Sequence, residues 1–101
     1  GRPFSEGMAA VRVGNKWGYV GKSDSLVVNP SFDDALEFSE GMAAVRVGSK
    51  WGYIDKSGKL AVQPRFDYAG RFIKGIAAIR DGGLWSGITK SGKLIWEPKE
   101  E

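Results

Sequence analysis

Three arginines and three tryptophans stand at constant separation in this chain: Arg12 and Trp17, Arg46 and Trp51, Arg80 and Trp85. A guanidinium over an indole face forms a cation–π pair of about 0.5–2 kcal/mol, depending on exposure. An indole face left open to water can instead stack on a sugar ring or a partner's apolar side chain. Tyr19 and Tyr53 follow the first two tryptophans by two positions, the spacing that puts two side chains on one face of a strand. Arg12, Trp17, Tyr19, Arg46, Trp51, Tyr53, Arg80 and Trp85 are therefore the candidate binding residues. The competing role for the same rings is core packing, in which Gly18 and Gly52 leave room for an indole. Other chemistry is poorly supplied. Without histidine or cysteine the chain lacks the usual proton shuttle, metal ligand, thiolate and disulfide. Asp33 and Asp67 recur with the same period, which suits a structural cap better than a unique catalytic pair. Ser57, Ser91 and Lys56 have no evident base to activate a hydroxyl, and no glycine-rich loop precedes a helix. The expectation is no enzyme, no cofactor and no metal.

The elements that position these residues come in threes. Lys50-Trp51-Gly52-Tyr53-Ile54-Asp55-Lys56 is matched by Lys16 to Lys22 and by Leu84 to Lys90, 34 residues away on either side. Phe4, Phe38 and Phe72, Gly7, Gly41 and Gly75, and Pro30, Pro64 and Pro98 keep the same step. The chain is a tandem repeat, one domain over residues 1–101 with units at about 1–34, 35–68 and 69–101.

In the middle unit, Met42 to Val47 alternates as a strand, and Gly48-Ser49 is a two-residue hairpin connection with glycine where φ must be positive. That register sets Val47 against Lys50, Arg46 against Trp51, Val45 against Gly52, Ala44 against Tyr53 and Ala43 against Ile54. After Asp55, Lys56 to Lys59 resembles a type I turn closed by Gly58, which Asp55 can hold through an Asx bond. Leu60 to Gln63 then pairs back, Ile54 with Leu60, Tyr53 with Ala61 and Gly52 with Val62. One face collects Ala43, Val45, Gly52, Ile54, Leu60 and Val62, and the other Met42, Ala44, Arg46, Trp51, Tyr53 and Gln63. Pro64 ends the third strand, and Asp33 and Asp67 cap one helical turn leading to the next unit. A helical tetratricopeptide repeat has the same period, but alternating apolar positions and frequent glycine exclude long helices.

The predicted fold is all-β: three 34-residue β-meander repeats stacked as a short solenoid-like array. The alternative is a closed three-fold β-barrel, trefoil-like, which removes open strand edges. Fifteen glycines and four prolines in 101 residues with ordinary apolar content indicate many tight turns rather than disorder. Net charge runs 0, +1 and +2 along the three units, four basic against four acidic side chains, then five against four, then six against four. So shallow a gradient argues against nucleic acid as a partner. Lys22, Lys56 and Lys90, joined by Lys59 and Lys93, would line one edge, but a turn lysine is ordinarily just solvated. No apolar run approaches the roughly 18 residues of a membrane span, so a soluble chain is expected, and no compartment is indicated.

The pattern Phe38-x-Glu40-Gly41-x-Ala43-x-Val45, Lys50-Trp51-Gly52-Tyr53-Ile54-Asp55, Gly58-Lys59, Pro64-x-Phe66-Asp67-x-Ala69 resembles the WG repeat (KWG) family of bacterial tandem repeats. The resemblance implies a β-rich interaction module with no catalytic residues to carry over. Unit 1 departs at Gly21 and Asp24-Ser25, and unit 3 at Leu84, Ser86, Gly87, Thr89, Glu100 and Glu101, a drift that fits a terminal capping unit. The hairpins are also similar to the shorter choline- and glucan-binding cell-wall repeats. A protein partner is thus the first expectation and carbohydrate the second. Self-association through open β edges is a third.

Overall fold

A computed structural model describes residues 5–22 and 25–96, the last by its backbone, and places no helix among them. Alternating side chains and two-residue turns build three antiparallel sheets in sequence order. Unit 1 holds β1 (Ala9–Val13), β2 (Lys16–Val20) and β3 (Leu26–Phe32). β4 (Asp34–Ala35), β5 (Met42–Val47), β6 (Lys50–Asp55) and β7 (Leu60–Phe66) form the middle sheet in that order. β8 (Tyr68–Ala69), β9 (Ile76–Asp81), β10 (Leu84–Thr89) and β11 (Leu94–Trp96) form the last. The array is open, all-β and solenoid-like, 50 Å long and 20–27 Å across. The closed barrel is not found: among the described residues, no strand of the first sheet pairs with the last.

The hairpin register is as the spacing requires: all five expected pairs of β5 and β6 form, and Met42 faces Asp55 beyond them. Gly14, Gly48 and Gly82 take φ of 66°, 65° and 61° at the first turn position. Asp55 holds its turn through Oδ1, which accepts from the Ser57 and Lys59 amides at 2.9 and 3.1 Å.

The third strand corrects the expectation. Ile54 pairs with Leu60, but Tyr53 pairs with Val62 instead of Ala61, and Trp51 with Phe66. One extra residue between the first two pairs and two between the next make β7 bulge, so Val62 and Phe66 cross to the Tyr53 side. Pro64 does not end the strand; it lies in the bulge, where a missing amide hydrogen costs no ladder bond. Gly52 serves this bulge and not an indole ring. A Cβ there would lie 2.5 Å from the Val62 carbonyl oxygen and 2.7 Å from Pro64 N, and Gly18 meets Val28 and Pro30 in the same way.

The connector is likewise extended, not helical. β3 runs on into β4, whose Asp34 and Ala35 pair with Arg46 and Val45 at the edge of the next sheet, and β8 repeats the crossing onto β9. Each connector therefore closes a strand edge of the unit that follows.

Both faces of the middle sheet are interior. Ala43, Val45 and Ile54 join Tyr19, Val28, Phe32 and Phe38 in one core, while Met42, Ala44 and Tyr53 join Val62, Phe66, Phe72, Ile79 and Ile88 in the other. Each core spans two neighbouring units, so the stability of the array is a sum of nearest-neighbour interfaces. Leu60, expected inward, is 37% exposed at the outer strand.

Candidate interaction surface and joints between units

The predicted site residues divide into two groups. Tyr19 and Tyr53 are fully buried, edge-on to Phe38 and Phe72 at 4.8 Å between centroids. Their hydroxyls donate across the unit boundary to the carbonyls of Leu36 and Gly70, both at 2.5 Å. Burial pushes the Tyr53 phenol well above the ordinary tyrosine range, so it stays a donor at any physiological pH. Trp17 and Trp51 are half-buried against the two cores. Trp85 is 52% exposed.

All three arginines face their tryptophans across the hairpin, but the expected stack of three cation–π pairs does not form. Among the described residues, Arg80 lies over Trp85 at 5.9 Å, whereas Arg46 donates to the Gly48 carbonyl at 2.6 Å. A turn carbonyl one residue beyond the strand end is a closer, charge-assisted acceptor than the ring.

A residue outside the periodic set completes an exposed aromatic line. Tyr68, 42% exposed, sits between Trp51 at 6.4 Å and Trp85 at 5.7 Å. Asp34 is its counterpart one unit earlier, so a search restricted to periodic residues passes over it. The available signal was an aromatic at a connector position that is acidic elsewhere.

Polar groups form the joints. Asp33 Oδ2 accepts from the Gly48 amide at 2.6 Å and Oδ1 from Lys16 Nζ at 2.7 Å, tying the unit 2 hairpin turn to unit 1. Asp67 does the same with Gly82 and Lys50, both at 2.8 Å. These aspartates cap turns of the following unit, not helices, and the lysine and amide donors hold both carboxyls below the usual range. Ser5 and Ser39 Oγ donate to the Phe38 and Phe72 carbonyls at 2.7 and 2.6 Å.

The most regular joint involves Glu6 and Glu40. Glu40-Gly41 and Lys74-Gly75 each have two successive residues at positive φ, 54° and 82°, then 54° and 83°. A non-glycine residue there costs about 1–2 kcal/mol. The two amides of such a pair converge into an anion-binding concavity. Glu6 fills the first, its oxygens accepting from the Glu40 and Gly41 amides at 2.6 and 2.7 Å. Glu40 fills the second, on the Lys74 and Gly75 amides. Lys56 and Lys90 stand 3.7 Å from these carboxylates. Amide bonds from Gly41 and Gly75, chiefly, lower both glutamate pKa values.

A family model described as WG containing repeat matches residues 2–17, 17–51 and 51–85. The chain belongs to the WG repeat family. No curated protein and no solved structure matches it.

Within a WG unit, four side chains serve the joint to the next, three directly and the lysine by bracing the aspartate that reaches across: Ser5, Glu6, Lys16 (on Asp33) and Tyr19 in unit 1, and Ser39, Glu40, Lys50 (on Asp67) and Tyr53 in unit 2. Unit 3 has Ile73, Lys74, Leu84 and Gly87 in those places. Its outward face carries Ile76, Ala78 and Trp85, all exposed, where unit 2 buries Met42 and Ala44 and half-buries Trp51.

Proposed function

We propose that this WG array is a non-catalytic module that binds protein, with Trp85, Tyr68 and Arg80 at the centre of its contact surface. The observation that carries the reading is the split among the aromatic rings: the tyrosines of units 1 and 2 are sealed into the joints, while Trp85 and Tyr68 stay open beside an arginine. Aromatic and arginine side chains dominate binding energy at protein interfaces, and an edge-to-face pair already in place loses little rotamer freedom on docking. The sealed tyrosines remove the row of open faces that stacking on a glycan chain asks for, which makes carbohydrate the weaker reading. The periodic carboxylates Asp33, Asp67, Glu6 and Glu40 are committed to backbone amides and lysines, in keeping with a non-catalytic role.

The test starts from peptides selected by display on the folded chain, whose affinities for the parent, Trp85→Ala and Tyr68→Ala are measured by calorimetry. Each substitution is expected to weaken binding about tenfold or more, at the scale of an interface hot spot, with little change in unfolding temperature because both rings are exposed. Peptides indifferent to both substitutions overturn the placement of the surface. A glycan array on which Trp85 is required overturns the ligand class.

A further inference from the structure

We infer that the backbone amides of Glu6 and Gly7, with Lys22, form a receiving site for a glutamate carboxylate presented by another stretch of polypeptide. Glu6 and Gly7 take φ of 56° and 80°, within 3° of the corresponding residues in units 2 and 3. The concavity is therefore already shaped. In units 2 and 3 the equivalent amides hold a glutamate carboxylate with a lysine 3.7 Å away. Lys22 is the equivalent lysine of unit 1, and its Cε lies 3.7 Å from where a Cβ on Gly7 would stand. Among the described residues, neither amide has an acceptor and Lys22 has no carboxylate. Two converging donors beside an ammonium make a site whose ligand the molecule displays twice elsewhere.

The geometry is specific for a carboxylate on a side chain long enough to span a unit boundary. A preceding WG unit can supply it, as can a separate protein with an exposed Glu. This site lies at the other end of the array from Trp85 and Tyr68, and its test does not involve those rings.

The amide signals of the 15N-labelled chain, titrated with sodium acetate against sodium chloride at equal ionic strength, provide the test. The Glu6 and Gly7 protons are expected to move downfield along a saturating curve, while those of Glu40, Gly41, Lys74 and Gly75, already bonded, stay in place. Lys22→Gln should weaken the response by up to about fivefold, the range of an exposed ion pair. The inference is overturned if Glu6 and Gly7 respond no more than other exposed amides, or if Lys22→Gln leaves the curve unchanged.

Two further arms separate the sources: an acetylated Phe-Ser-Glu-Gly amide added in trans, and the chain preceded by a second copy of residues 35–68. Occupancy of the Glu6 and Gly7 amides in the extended chain, with loss of the acetate response, identifies a neighbouring unit. Occupancy by the peptide alone identifies a separate partner, and failure of both overturns the site.

Discussion

Replacing Gly52 by alanine tests the bulge that the fold depends on. The added methyl meets three backbone atoms, Val62 O at 2.5 Å, Pro64 N at 2.7 Å and Gln63 C at 2.9 Å, so no side-chain rotation relieves the clash. β7 must move off β6, and Val62 and Phe66, both buried in the second core, move with it. Overpacking in a rigid site costs about 1–3 kcal/mol, and partial exposure of two large apolar side chains adds to it, so we expect about 3 kcal/mol or more. For a domain of this size that lowers the unfolding midpoint by about 12–24 °C, at about 4–8 °C per kcal/mol. Thermal and urea unfolding followed by circular dichroism measures it, with Gly21→Ala as control. At Gly21 the nearest atom is a Val27 methyl at 3.4 Å and φ is not positive, so the control should stay within about 0.5 kcal/mol of the parent. Ser86 holds the place of Gly52 in unit 3, where the strand pairing is followed only as far as Gly87 with Trp96. Equal midpoints for Gly52→Ala and Gly21→Ala would refute the argument that close backbone approach dictates glycine.

Tyr53→Phe keeps the ring and removes the donor to the Gly70 carbonyl; a loss of about 1–2 kcal/mol is expected in urea unfolding, and an unchanged midpoint would mean that water replaces the bond without cost. Glu6, Glu40, Asp33, Asp67 and Asp55 all have folded pKa values below their ordinary ones. The unfolded chain therefore binds protons first on acidification, so their contribution is fully present above about pH 5 and drains away as pH falls through the depressed values. The urea midpoint should fall between pH 5 and pH 3, and less steeply in Glu40→Gln; a flat profile contradicts the stabilising role of these carboxylates. Restoring the forward-reaching side chains with Ile73→Ser, Lys74→Glu, Leu84→Lys and Gly87→Tyr should promote head-to-tail association onto the Glu6–Gly7 site of a second copy. Sedimentation velocity reads this as a concentration-dependent shift beyond any seen for the parent, and identical profiles count against the joint chemistry.

The hairpins were legible because two signals of different origin agree on them: glycine at the first turn position, and period-two alternation that allows one register only. The third strand was not, since nothing in Ala61 or in Gln63 to Arg65 distinguishes a bulge from regular pairing. The clue lay across the sheet, in Gly18 and Gly52 standing opposite strands that contain Pro30 and Pro64. Asp33 and Asp67 suggested a helical cap because an aspartate before a short polar segment serves any nearby unpaired amide. Which amide it serves depends on a turn 15 residues further on, and local spacing cannot supply that distance. The aromatic surface was half legible: Trp85 belongs to the period and Tyr68 breaks it. The face shared by Arg46, Trp51 and Tyr53 could be drawn from alternation alone, but its covering by the next unit follows from stacking.

The same stacking gives the array a direction. Serine, glutamate, tyrosine and the lysine-braced aspartate all act toward the following unit, while the groups that receive them are backbone: carbonyls of the Phe38 and Leu36 type, and amides of the Gly41 and Gly48 type. Backbone receivers survive substitution, so every unit keeps them regardless of sequence drift. Side-chain givers do not, and one substitution removes each. A WG unit can thus lose its ability to hold a successor while still being held by its predecessor, and unit 3 is in that condition at Ile73, Lys74, Leu84 and Gly87. Trp85, Ile76 and Ala78 lie exposed on the outward face of the same unit. That face carries the protein contact proposed above, so the proposed binding surface and the altered joint residues belong to one unit.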